Sequence, residues 1–194
     1  MRIFGVILAG GQARRMGGAD KAMLMLNGQP LIRHVWDRLS PQVETLAISA
    51  NGDPDRFARF RCPVLPDDGS LGPLSGVLSA LNWATRAGAD AVVSTPVDAP
   101  FLPGDLVPQL LLAGDGRLAI ATAAGRDHPV FALWPVTLAE DLARFLDSGA
   151  KAKVTAFTEA HHAARASFPD ATAFLNLNTP EDLAHAEALI RGAA

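Results

Sequence analysis

Cysteine is almost absent. Cys62 stands alone in 194 residues, so no internal disulfide can form, which suits a reducing compartment. Long apolar runs are missing too: no stretch of about 18 apolar residues exists, which excludes a transmembrane helix. The apolar stretch Ile3-Phe4-Gly5-Val6-Ile7-Leu8 breaks at Gly10-Gly11, too short for a secretory leader, and a cytoplasmic location is expected. Positive charge is not in excess. The formal net charge is −3, which excludes a broad basic footprint for nucleic acid. Lysine is scarce, with Lys21, Lys151 and Lys153 against 14 arginines. In a chain that defaults to arginine, a lysine marks a place that wants a compact point charge rather than a planar fork.

Apolar residues make up 49% of the chain and charged residues only 19%, enough to build a sizeable core. A chain of this length hides roughly 70% of its unfolded surface, and one domain over residues 1–194 is expected. Ile3–Leu8 is a continuous apolar run, as in a strand buried on both faces. Asn27-Gly28 favours a tight turn, and Pro30 opens a helix carrying Leu31, Ile32, Val35, Trp36 and Leu39. Val43–Ser49 and Cys62–Leu65 read as strands flanking a short helix at Pro54–Phe60. Leu74, Val77, Leu78, Leu81 and Ala84 are spaced as one helix face, and Ala91–Ser94 is another buried strand. Helices are expected at 104–112, 136–147 and 180–191, with strands near 118–123, 129–134 and 163–168. Asp105 is the expected cap of the first of these helices. Such alternation predicts an α/β fold with a mainly parallel sheet flanked by helices; some strands of the second half could run antiparallel.

In an open α/β sheet, ligands bind beyond the carboxyl ends of the strands. The glycine-rich stretch from Ala9 to Lys21 lies there, with Gly10, Gly11, Arg14, Arg15 and Lys21, and reads as a phosphate-binding loop. Neither the P-loop nor the dinucleotide fingerprint fits its spacing. Asp98, between Pro96 and Pro100, is the best magnesium candidate, because that ion takes one or two carboxylates and completes its shell with phosphate oxygens and water. A helix or turn cap is the equal alternative for Asp98. Gly72-Pro73-Leu74-Ser75-Gly76 opens a helix whose amino end favours anions, although proline starts helices without any ligand. No histidine or cysteine cluster suggests zinc, and no Gly-x-Ser-x-Gly elbow suggests a serine hydrolase. Asn176 and Asn178 point the same way if extended. Either Asn178 or Thr179 could instead cap the helix starting at Pro180.

Leu8-Ala9-Gly10-Gly11, Arg15-Met16-Gly17-Gly18 and Asp20-Lys21 resemble the signature of sugar-nucleotide-type nucleotidyltransferases. More narrowly, the chain resembles the bacterial molybdenum cofactor guanylyltransferase (MobA-type) family. Leu26–Leu31, Ser49-Ala50-Asn51, Gly72–Gly76, Asp98–Pro103, Asp127-His128-Pro129 and Asn176–Leu183 follow in the family's order. The resemblance implies a Rossmann-like fold and transfer of GMP from GTP to molybdenum-molybdopterin, with magnesium and release of pyrophosphate. It implies nucleotide contacts at Leu8, Ala9, Gly10, Gly11, Lys21, Asp67 and Asp98, with Asp98 also the metal ligand. Ser49 stands where some relatives have Asn and Asn51 keeps the second Asn, so the contact is open between them. Arg15, Lys21 and Asp98 are the expected catalytic set, and Gly72, Gly76, His128, Asn176 and Asn178 are assigned to the cofactor side. The nucleotide part is expected over about 1–103 and the cofactor part over about 104–190. Delivery by a molybdenum-insertion protein, onward transfer to molybdoenzymes or their chaperones, and a monomeric state are also expected. A transferase using CTP or another phosphorylated acceptor is the rival reading, and a non-catalytic cofactor carrier is the reading from another class.

Overall fold

The apolar run at the N-terminus forms the central strand β1 (Ile3–Leu8), buried on both faces and paired in parallel with β6 (Thr45–Ser49) and β8 (Ala91–Pro96). The computed structural model describes residues 1–10, 12–13, 19–67, 72–148 and 152–192. Two short hairpins precede β6: β2 (Gln12–Ala13) with β3 (Ala19–Asp20), and β4 (Met25–Leu26) with β5 (Gln29–Pro30). The second turns at Asn27-Gly28, both at positive φ (46° and 79°), the geometry that makes Asn-Gly a hairpin signal. The seven-stranded sheet is completed by β7 (Val64–Leu65), β9 (Ala119–Ala123), β10 (Arg126–Pro135) and β11 (Ala164–Phe168), in the order β11-β9-β10-β8-β1-β6-β7. All strands are parallel except β10, antiparallel to both neighbours. A two-residue turn at Ala124-Gly125, with φ of 48° and 74°, reverses the chain there.

Helices α1 (Leu31–Leu39) and α3 (Leu106–Gly114) cover one face of the sheet. Helices α2 (Pro73–Arg86), α4 (Ala139–Asp147) and α5 (Val154–Ala160) cover the other. Helix α6 (Pro180–Ile190) packs Ala186 with Leu26, Leu31 and Leu177 in a third, small cluster. The result is a single α/β domain, as the alternation of elements predicts. Because the strand after β1 in the sheet lies on one side (β6) and β8 on the other, a crevice opens beyond Leu8 and Pro96.

Three local expectations change. Asp105 holds the cap position of α3 without capping it; its carboxylate accepts from Gln109, and Gln42 Oε1 accepts the Val107 N–H instead, at 2.9 Å. Helix α5 was not expected, since Val154, Thr155 and Thr158 are poor helix formers. Its Phe157 ring is held by Trp134 and Phe145, at 6.0 and 5.4 Å between centroids. The strand expected at 129–134 begins at Arg126 and is interrupted, because residues 129–131 bulge between the pairs His128–Ala121 and Ala132–Ile120.

Candidate functional site

A cavity of about 450 Å³ opens at the crevice, bounded by the ends of β1, β6 and β8, the start of α2, and residues 126–131 of β10. Its first wall is polar and tightly hydrogen-bonded. Asp20 accepts from the Ala22 N–H and so starts the turn that buries Lys21. Lys21 Nζ donates to Asp98 Oδ2 at 2.5 Å and to Asn178 Oδ1 at 2.6 Å. A buried ammonium needs such partners, because desolvation disfavours its charge. Past β8 the chain stays beside β1 through Val97 N–H donating to the Leu8 carbonyl, and Leu177 N–H donates to the Asp98 carbonyl. The segment leading to α6 is thereby strapped against the site. Asp98 Oδ1 is buried and has no hydrogen-bond partner among the described residues. A carboxylate with one oxygen on an ammonium and the other unclaimed suits a hard cation that takes one or two carboxylates. No group of three or more His, Cys, Asp or Glu with metal-binding geometry occurs among the described residues.

On the same wall Ser49 Oγ donates to Asp67 Oδ2 at 2.8 Å, and Asn51 Nδ2 donates to Asp67 Oδ1 at 2.9 Å. Asn51 Oδ1 in turn accepts the Asp67 N–H. Ser49 and Asn51 therefore both orient Asp67; Ser49 lines the cavity and Asn51 stands behind the carboxylate. Helix α2 comes very close here. A Cβ on Gly76 would lie 2.6 Å from Ser49 Oγ and 2.9 Å from Leu8 Cδ2, so any larger residue must displace both side chains. Gly76 thus packs against Ser49, Leu8 and Asp67, and Gly72, at φ 68°, lines the same cavity as His128 and Asn176. Leu8 and Gly10 line the cavity, whereas the buried Ala9 spends its N–H on the Ser49 carbonyl and contributes no free amide. Gly11, Arg14, Arg15 and Asp68 lie outside the described residues.

The second wall is antiparallel and mixes Arg126, Asp127 and His128 with the apolar Pro129, Val130 and Phe131. Ala132 stands opposite Ser94, so the residues before it run past the carboxyl end of β8 and flank the cavity. Pro129 has no N–H to give a ladder, which favours a bulge. The bulge is secured from beneath: Ser94 Oγ donates to the Val130 carbonyl at 2.6 Å and accepts from Trp134 Nε1 at 2.8 Å. Ser94 and Trp134 are completely buried. His128 stacks on Phe174 with centroids 4.6 Å apart, and Phe131 meets Phe174 edge-on. Burial holds the His128 imidazole below its ordinary pKa; the positive charge of Arg126 works the same way, and Asp127 opposes both. Asn176 lines the cavity, and Asn178 faces Lys21.

Asn178 is not the cap of α6. Thr179 is, in a capping box with Asp182: Thr179 Oγ1 accepts the Asp182 N–H, and Asp182 Oδ2 accepts those of Thr179 and Asn178. Motif reading missed Ser94 and Arg126. Arg126 borders the Asp127-His128-Pro129 block and follows a small-residue turn, which is its one local signal; Ser94 has none.

Similarity to known proteins bears on this geometry. The family described as the MobA-like NTP transferase domain matches residues 5–164. A molybdenum cofactor guanylyltransferase of Cereibacter sphaeroides is 63% identical over 191 residues, 98% of each chain. The crystal structure of molybdopterin-guanine dinucleotide biosynthesis protein A from Archaeoglobus fulgidus aligns with a TM-score of 0.77 at 22% identity, covering 97% of this chain and 99% of that one. A 4-diphosphocytidyl-2C-methyl-D-erythritol synthase from Anaerococcus prevotii aligns nearly as well, with a TM-score of 0.76 at 13% identity over 98% and 96% of the two chains. The shared fold does not select a base.

Proposed function

This chain belongs to the MobA-like NTP transferase family, and from that premise we propose that it transfers GMP from GTP to the terminal phosphate of molybdenum-molybdopterin. A phosphate oxygen of the acceptor attacks the α-phosphorus of GTP, the bond to the bridging oxygen breaks, and pyrophosphate leaves. The observation that carries this reading is the Lys21–Asp98–Asn178 cluster at the cavity, with one Asp98 oxygen unclaimed.

The acceptor phosphate needs no general base. A phosphate monoester has a second pKa of about 6 and is mostly dianionic at neutral pH. The task is to bring two polyanions together in line and to hold the charge that spreads over the transferring group. Lys21 supplies a fixed positive charge, and Arg15 is assigned to the same task. Asp98 would hold magnesium through its free oxygen, with phosphate oxygens and water completing the shell. When bound, that ion neutralises phosphate charge. Asp67, oriented by Ser49 and Asn51, offers carboxylate oxygens to the guanine N1–H and amino group or to the ribose. Gly10 lets the backbone approach the nucleotide closely, and Gly72 and Gly76, assigned to the cofactor side, open the helix that borders both substrates. His128, Asn176 and the bulge of β10 form the acceptor side, so the nucleotide part falls mainly before residue 103 and the cofactor part after it. We place the reaction in the cytoplasm, with a molybdenum-insertion protein as donor and molybdoenzymes or their chaperones as recipients. Among the described residues no helix is long and apolar enough to cross a membrane.

The test is a nucleotide panel. Purified protein is given magnesium, molybdopterin and each of GTP, CTP, ATP and UTP, and both pyrophosphate and dinucleotide are measured. The reading predicts product from GTP alone. A cytosine dinucleotide would support the cytidylyl rival, and tight cofactor binding without turnover would support a carrier.

A further inference from the structure

We propose that Arg126 is the residue that grips the terminal phosphate of the acceptor. The inference rests on the transfer reaction above and names a contact on its acceptor side.

Arg126 opens β10 immediately after the Ala124-Gly125 turn and lines the cavity on the wall across from Ser49 and Asp67. Its backbone is held against the neighbouring strand, where it pairs with Ala123. Thr122 Oγ1 donates to the Arg126 carbonyl at 3.0 Å, and the next residue, Asp127, is gripped by Arg165 through Nε at 3.1 Å and Nη2 at 2.8 Å. That second pairing matters for charge. It engages the carboxylate adjacent to Arg126 elsewhere, so Arg126 is left without an ion-pair partner among the described residues. Lys21, the other Lys or Arg lining the cavity among the described residues, is already divided between Asp98 and Asn178.

Two dianionic or polyanionic groups must meet in this cavity, and Lys21, with Arg15 assigned to the same task, serves the nucleotide. An uncommitted cation on the opposite wall is what the acceptor needs. A guanidinium suits that position because its planar fork can bond two phosphate oxygens at once. Arg126 is exposed at the rim of the cavity, and its charge reaches His128, where it adds to burial in disfavouring protonation.

The test uses the full chain, with Arg126→Ala and Arg126→Lys compared with wild type. Binding of molybdopterin and of its dephosphorylated form is measured by fluorescence titration, and steady-state rates are measured with each substrate varied. Wild type should prefer the phosphorylated pterin by roughly tenfold or more, the usual worth of a charged hydrogen-bonded contact. Arg126→Ala should lose that preference and raise the acceptor KM by a similar factor, leaving the GTP KM within about twofold. Arg126→Lys should recover part of both. An Arg126→Ala variant that still discriminates the two pterins overturns the proposal, even if its rate is low. If wild type makes no dinucleotide yet binds the phosphorylated pterin through Arg126, the transfer reading fails and the contact stands. If wild type does not distinguish the two pterins, the contact is refuted whatever the rate.

Discussion

The two walls of the cavity are built by different physics. The first is made at the carboxyl ends of the parallel strands β1, β6 and β8, where polar side chains are paired with one another: Ser49 and Asn51 on Asp67, Lys21 on Asp98 and Asn178. The second is the antiparallel strand of the seven-stranded sheet, bent by a bulge and backed by aromatic rings, its polar anchor hidden below the surface in Ser94 and Trp134. Charge organised in advance suits a triphosphate, whereas a flat stack of His128 on Phe174 suits a ring system such as a pterin. The lesson is that a shared fold supplies the first wall and a local irregularity supplies the second.

The largest way to break this contrast is at Asp98. Asp98→Asn keeps an oxygen for Lys21 but removes the charge that would hold the metal, so pyrophosphate release should fall by roughly two to three orders of magnitude. The protein should still fold, with a lowered melting temperature because the buried Lys21 loses its counter-charge. Near-normal turnover at saturating magnesium would return Asp98 to a structural role.

A middle-sized effect is expected at Ser94, beneath the other wall. Ser94→Ala leaves the Trp134 N–H and the Val130 carbonyl without their partner, at a cost of about 1–3 kcal/mol, read from the denaturant midpoint. The bulge should loosen with it, raising the acceptor KM and leaving the GTP KM alone. A variant equally stable and kinetically silent would show that the bulge holds itself.

The smallest effect lies outside both walls, at the cap of α6. Thr179→Ala should cost about 1 kcal/mol and shift melting rather than rate. The Asn178 backbone N–H, with that of Thr179, holds the Asp182 carboxyl below the usual carboxylate range. A depressed carboxylate stabilises the fold fully above its unfolded pKa of about 4, and that contribution is lost as pH falls through the lower folded value. The melting difference between wild type and Asp182→Asn should therefore shrink below about pH 4. A difference constant from pH 7 to pH 3 would mean that the charge of Asp182 is irrelevant to the cap.

The first wall was far more legible than the second. β1 and β8 announce themselves as continuous apolar runs, α2 as a helical face, and the Asn27-Gly28 hairpin through its turn residues. Lys21 stands out because lysine is rare here, and Asp98 because prolines flank it. What escaped is made by contacts between distant residues. Ser94 and Trp134 are 40 positions apart, and Lys21 and Asn178 are 157 apart. Nothing local distinguishes Asn178 from an ordinary cap until Lys21 arrives beside it. The demand for glycine at position 76 depends on how closely α2 approaches Ser49, a distance no periodicity encodes.

One kinetic experiment tests most directly whether the two walls serve two substrates. Gly76→Ala drives a methyl group into Ser49 and Leu8, and His128→Ala removes the ring stacked on Phe174. Initial rates are measured with GTP and molybdopterin each varied against the other. Gly76→Ala should raise the KM for GTP roughly tenfold and leave that for the pterin within about twofold, and His128→Ala should do the reverse. Equal shifts of both constants in either variant, or an exchange of the two patterns, would contradict the division.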